Sequence, residues 1–184
     1  IDVLVLNVPE DRLETIQEAL SHNVTVKFVE KNFVGGGGYL PNDPNYGSEW
    51  HLSKVSAPSG WDISTGDPGI IIAVIDSGVD PSHPDLAAKL LPGYNYLNKN
   101  TDTHDVLGHG TAVAGTAAAI SDNQIGVAGI AWRSPILPLV VLNSNNYATY
   151  SDIASAILFA ADNGAKVINI SIGGSSSSST LQSA

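Results

Sequence analysis

The chain has 184 residues and a formal charge of −10, with 43% hydrophobic and 14% charged residues and no cysteine. Eight Lys and Arg against 18 Asp and Glu leave no material for a basic phosphate-binding face. Neither nucleic acid nor an anionic membrane surface is therefore expected as a partner. Absent cysteine excludes a disulfide framework and a thiolate metal site, whereas the carboxylate surplus leaves calcium open.

Residues 1–34 predict strand, helix, strand. Residues 3–8 form an apolar run of alternating type that Pro9 ends, and Glu10 and Asp11 suit the positive end of a helix. Leu13, Ile16, Gln17 and Leu20 then recur at helical spacing, and Val24, Val26, Phe28 and Val29 make a second β-type run. Two strands around a helix are half of a split βαβ unit, either a free-standing α+β piece or a regulatory segment. The opening run lacks the basic flank of a signal peptide, and its abrupt start reads as a trimmed N-terminus. Gly35 to Gly38 form the most flexible stretch and are expected to be a linker (35–38) before the main domain, 39–184.

From Ile70 the pattern alternates strand and helix. The run 70–75 (IIIAVI) predicts a strand buried on both faces, and 110–120 (GTAVAGTAAAI) a tightly packed internal helix. Residues 136–142 predict a second buried strand, irregular or bulged at Pro138. A helix follows over 151–163, with Ser151 as N-cap and Gly164 as its stop, then a third strand over 166–172. The serine run 175–179 reads as a surface loop into a helix starting near Thr180. The fold class is α/β, a doubly wound parallel sheet with right-handed crossovers. No apolar run reaches the roughly 18 residues that a membrane span requires.

Asp76 directly follows the strand IIIAVI, and functional groups of open parallel sheets collect at the carboxyl ends of strands. A carboxylate there can hold a histidine's tautomer, bind a cation, contact a sugar hydroxyl or merely cap a turn. His109, in GHGTAVAG, falls at a helix start. Together the two have the chemistry of a base and its orienting group, although spacing alone leaves structural roles open for both. A nucleotide site is disfavoured, because DSGVD puts acids where a phosphate would need amides.

The words VIDSGVDPSHPDL, GHGTAVAGTAAA, NQIGVAGIA and VINISIGG occur in an order that resembles the subtilase family of serine proteases. The stretch YLPNDPNYGSEWHLSKVSAPSGWDI is similar to the N-terminal arm of its thermitase-like branch. The resemblance covers 39–184, and 1–34 resembles the second half of the family's inhibitory propeptide. It implies a secreted endopeptidase acting on peptide or protein substrates, with Asp76 and His109 as triad members. No block of this chain matches the family's nucleophilic serine or its oxyanion asparagine, so the resemblance implies a proenzyme fragment inert by itself. Its partners would be its own propeptide and the C-terminal half of the domain, carried on a separate chain. The alternative is a non-catalytic truncated homologue that binds peptides or complements a second chain.

By the same resemblance, Ser171, Ile172 and Gly173 match the backbone segment that pairs with substrate. Asn146, Tyr147 and Ala148 match the opposite edge strand, which would bind peptide by β-augmentation. Tyr147 is bulkier than the small residues common there, and Tyr150 beside Leu142 matches the wall of a more distal pocket. Structural calcium is implied at the side chains of Asp43, Asp85 and Asn123 with the carbonyls of Ile120, Ile125 and Val127. A second, weaker calcium site between Gly93 and His109 is not expected to persist, since Asn95, Asn98 and Asn100 replace acids; Asp102 and Asp105 leave a shifted site open. Ala112 stands where the family has a second histidine, and a local packing change is expected there. Propeptide cleavage is expected near Gly38–Tyr39.

Overall fold

A computed structural model describes residues 3–32 and 39–184. The chain divides into two compact units, Ile1–Gly37 and Gly38–Ala184. The predicted linker, Gly35–Gly38, lies outside the described residues.

In the first unit a 3-10 turn, Glu10–Arg12, runs into helix α1, Leu13–Ser21. Pro9 precedes the turn with extended backbone, and Glu10, Asp11 and Glu14 occupy the first turns, where negative charge opposes the helix dipole. Neither expected strand is present among the described residues: 3–9 and 24–32 carry no sheet pairing, and Val3, Leu4, Val5 and Val24 are exposed. Alternating apolar residues form a strand only when a neighbouring strand takes their backbone groups and a partner layer covers one face.

The second unit is α/β. Two short helices, α2 (Trp50–Lys54) and α3 (Ala57–Trp61), precede strand β1 (Ile71–Asp76). Then come β2 (Tyr94–Asn95), α4 (His109–Ala118), β3 (Ile136–Val140), α5 (Tyr150–Asp162), β4 (Ala165–Ile170) and α6 (Ser179–Ser183). The sheet order is β2-β3-β1-β4 and every pairing is parallel. Alternate residues of β1 face opposite layers. Ile72 and Val74 pack with Val79, Leu86, Ala114 and Ala118 on the α4 side. Ala73 and Ile75 pack with Leu137, Leu139, Ile153, Ala156 and Ala160 on the α5 side. This is why IIIAVI has no polar face, and it makes the sheet doubly wound.

Pro138 does not bulge β3, whose register against β1 is continuous from Ile72↔Ile136 to Asp76↔Val140. The carbonyls of Ile136 and Val140 accept from Leu91 and Tyr96, so this side of β3 faces the chain leading into β2. The proline's missing N–H falls on that side, where strand pairing begins only at Tyr94. The ladder irregularity lies instead at Ile71/Ile72, against β4. Close approach at this edge requires Gly93, because a Cβ there would come within 1.9 Å of the Pro138 carbonyl oxygen.

Helix α5 begins one residue before its expected start. Thr149, not Ser151, is its N-cap, accepting from the Asp152 N–H at 3.1 Å. Gly164, with φ +82°, takes the left-handed conformation that ends the helix. Strand β4 is an edge strand, and Val167 is 48% exposed on it.

Candidate active site

The carboxyl ends of β1, β3 and β4 lie at one end of the sheet and bring the predicted groups together. Asp76 closes β1 and is fully buried. Its backbone carbonyl accepts from the N–H groups of Val141 and Leu142 at 2.8 and 3.1 Å, tying the end of β3 to it. Its Oδ1 accepts from the Ser77 N–H at 2.7 Å and lies 2.7 Å from His109 Nδ1. Oδ2 is buried with no hydrogen-bond partner among the described residues.

His109 is the first residue of α4. Its side chain is 44% exposed, so one edge of the ring meets a buried carboxylate while the rest faces outward. With Nδ1–H donated to Asp76, the neutral tautomer leaves Nε2 as a hydrogen-bond acceptor. Backbone proximity makes this possible. A Cβ on Gly110 would meet the Gly78 carbonyl oxygen at 2.1 Å and the Asp76 Cβ at 3.1 Å. Gly110→Ala is expected to cost about 3 kcal/mol, the upper end for overpacking, because the nearer obstacle is backbone. Thermal unfolding checks this, with a fall of roughly 6–12 °C.

The loop before α4 is organised by Asp105. Burial alone would raise its carboxyl, but hydrogen bonds from Thr111, the Leu107 N–H and Ser77 hold it down, at about 2. Both oxygens are committed: Oδ1 to Ser77, Leu107 and Gly108, Oδ2 to the backbone and hydroxyl of Thr111. Asp102 is engaged separately, its Oδ1 accepting from the His104 N–H. A carboxyl depressed on folding stabilises the protein above its unfolded pKa of 3.8, and this is lost as pH falls through about 2. Urea midpoints measured between pH 5 and pH 2 are therefore expected to fall less steeply in Asp105→Asn than in the parent chain.

The segments predicted to bind substrate flank this pair. Leu142 is buried under α5, whereas Tyr147 is 73% exposed. Asn146 is not extended: its φ of +65° turns the chain, and Asn143 Oδ1 accepts from the N–H groups of Asn145 and Tyr147. An edge strand through 146–148 is thus interrupted at its first residue, since a left-handed residue cannot continue a strand. Ala148, Tyr150 and Ile172 pack against the α5-side core. The Tyr150 hydroxyl donates to the Ser176 carbonyl at 3.2 Å, and a Cβ on Gly174 would come within 2.0 Å of the Tyr150 hydroxyl oxygen. Ser171 and Gly173 are exposed, and Ser171 Oγ accepts from Asn169 at 3.0 Å.

The six residues predicted to hold calcium also converge. Asp43 and Asp85 are buried, and no Lys or Arg makes an ion pair with either among the described residues. Asp43 accepts from the Asp122 N–H at 2.7 Å and, more weakly, from the Asn123 N–H at 3.4 Å. Asp85 accepts from Asn123 Nδ2 at 2.8 Å and the Val127 N–H at 3.0 Å, and its carbonyl accepts from the Ile120 N–H. Asn123 Oδ1 accepts from the Ile125 N–H at 2.8 Å. Two buried carboxylates with no ion-pair partner among the described residues leave negative charge that a hard cation could balance. Among the described residues no three His, Cys, Asp or Glu side chains converge as metal ligands, so neutral oxygens would supply most of the shell.

Sequence reasoning missed Glu49. Burial raises its carboxyl, the Ala128 N–H and the nearby His51 lower it, and Asp43 and Asp85 raise it again, so Glu49 shares the electrostatic surroundings of both acids. It also missed Lys89, whose ammonium reaches the carbonyls of Ala118, Ala131 and Trp132 and so caps the end of α4.

Comparison with known proteins agrees with this architecture. The Subtilase family profile matches residues 67–184. A thermophilic serine proteinase from Bacillus sp. (strain AK1) is 41% identical over 94% of this chain and 43% of its own length. Thermitase from Thermoactinomyces vulgaris is 42% identical over 79% of this chain and 52% of its own. The chain thus spans about half the length of the curated relatives it matches. A solved protease structure from Pseudoalteromonas arctica PAMC 21717 superposes with a TM-score of 0.72 at 35% identity, covering 79% of this chain and 54% of that one. Sheet order, the buried Asp at the end of β1, the His opening α4 and these matches converge on one assignment: the chain belongs to the subtilase family.

Proposed function

We propose that this chain is part of a secreted serine endopeptidase in which Asp76 and His109 work with a serine carried outside these 184 residues. The observation that carries the reading is the 2.7 Å contact between His109 Nδ1 and a carboxylate shut away from solvent. Asp76 fixes the tautomer, and Nε2 takes the proton of the attacking hydroxyl. The resulting imidazolium is stabilised by the buried carboxylate and returns the proton to the departing amine. Water then repeats the cycle on the acyl-enzyme. The chain alone supplies neither nucleophile nor a matched oxyanion donor, and it is inert by itself.

Peptide substrate would lie between the 142–150 segment and Ser171–Gly173, pairing with backbone rather than with charge. A cleft lined by Leu97, Val106, Asn143 and Ser144 opens beside that loop. Calcium would be held by Asp43, Asp85, Asn123 and the carbonyls of Ile120, Ile125 and Val127, and it would supply positive charge that locks three loops together. Residues 1–34 would be the end of an inhibitory propeptide. The match to the thermophilic proteinase, over 94% of the chain, extends into that segment. The exposed β4 edge would be covered by the remainder of the domain. Secretion is supported by relatives described as extracellular, such as the Xanthomonas campestris protease, and no helix among the described residues is long and apolar enough to cross a membrane.

Co-folding this chain with a second one carrying the rest of the domain tests the proposal. Hydrolysis of a chromogenic peptide by the mixture, and by neither chain alone, is the expected result. A mixture that binds the peptide without cleaving it would favour a non-catalytic homologue.

A further inference from the structure

We propose that Asp105 is a positioning residue for the Asp76–His109 pair; the proposal rests on the protease reading and assigns a role within it. Asp105 never touches His109. It acts through two neighbours that do the aligning.

Helix α4 starts at Gly108 without any side-chain cap from its own N-cap residue, so its first N–H groups need outside acceptors. Thr111 N–H donates to Asp105 Oδ2 at 2.8 Å, and Gly110 N–H donates to Ser77 Oγ at 3.0 Å. Ser77 Oγ in turn donates to Asp105 Oδ1 at 2.7 Å. One carboxylate thereby fixes both residues that follow His109 in the helix. The same oxygen, Oδ1, accepts from Leu107 and Gly108, which fixes the approach to His109 from the other side. Ser77 completes the circuit, since its own N–H donates to Asp76 Oδ1, the oxygen that faces the imidazole. The Asp76 carboxylate and the His109 backbone are therefore referenced to one buried serine, and the orientation of its hydroxyl is set by Asp105. The loop is further docked by Asp80 N–H on Thr111 Oγ1 at 3.0 Å and Val79 N–H on the Thr103 carbonyl at 2.9 Å. Charge suits the place: a carboxylate at a helix start is favourable, and it accepts five donors where an amide could accept fewer.

The test is proton NMR of the whole chain, which needs no nucleophile. A proton held between an imidazole nitrogen and a buried carboxylate resonates far downfield, and the parent chain is expected to show one such signal. Asp76→Asn and His109→Gln should abolish it; its absence from the parent would overturn the Asp76–His109 pairing itself. With the signal present, Asp105→Asn and Ser77→Ala are expected to shift it upfield. They should also speed its exchange with solvent about tenfold, the change that losing about one net hydrogen bond permits. Asp102→Asn, which removes a charge but keeps an oxygen to accept from the His104 N–H, should leave it in place. Should Asp105→Asn fail to fold, Ser77→Ala decides. A folded variant with a lowered melting temperature and an unmoved signal would show Asp105 to be structural only and would overturn the proposal.

Discussion

If the chain acts in a serine endopeptidase as proposed, Asp76→Asn in that enzyme is expected to lower kcat by about 10⁴-fold while leaving the overall fold in place. The substitution is isosteric, but the site admits no good amide orientation. If the amide oxygen keeps the place of Oδ1, it can still accept from Ser77 and His109, but the charge that stabilises the imidazolium is gone. The NH₂ group then fills the place of Oδ2, which has no partner among the described residues, leaving a buried donor unsatisfied. With the amide reversed, NH₂ confronts the Ser77 N–H, and the histidine loses the acceptor that sets its tautomer. Steady-state kinetics separate this from misfolding: kcat should fall while KM stays within a few fold. A loss of activity that only tracks the loss of folded protein, with the folded fraction keeping the parent kcat, would contradict the assignment.

The second large effect concerns Asp85. Replacing it with alanine removes the acceptor of the Val127 N–H and of Asn123 Nδ2, two part-buried donors costing up to about 1–3 kcal/mol each where water cannot replace the lost oxygen. Gly126, at φ +51° with space for a Cβ only 2.4 Å from Asp85 Oδ2, shows how closely this loop is moulded on the carboxylate. Were calcium bound as proposed, its loss would add to that, since an ion present at 100 times its Kd contributes about 2.7 kcal/mol. A chelator is accordingly expected to lower the melting temperature of the parent chain by roughly 5–11 °C and to leave Asp85→Ala unchanged. A parent chain indifferent to chelation would remove calcium from the account.

Much of this was legible in the sequence because the sheet is buried on both faces. IIIAVI can satisfy two apolar layers only as a central strand, and the small residues of α4 fit only against such a sheet. Asp76 and His109 were legible as strand-end and helix-start residues, though their pairing required the surrounding family words. Other features depended on tertiary contacts that local pattern does not encode. Residues 3–8 have strand-like alternation but no partner strand among the described residues. Thr149 outcompeted Ser151 because Asp152, three residues on, closes a capping pair with it. Pro138 is tolerated because of which edge its nitrogen faces. Asp105 reads as a loose acid or a metal ligand until the fold brings Ser77, Thr111 and the turn into reach of its two oxygens.

The proposed nucleophile is located by treating the longer protein that contains this sequence, with calcium in the buffer, with a fluorophosphonate and mapping the adduct by peptide mass. One phosphonylated serine beyond residue 184 is expected, with labelling suppressed by His109→Ala. An adduct on any serine within 1–184, or labelling indifferent to His109, would contradict the proposal.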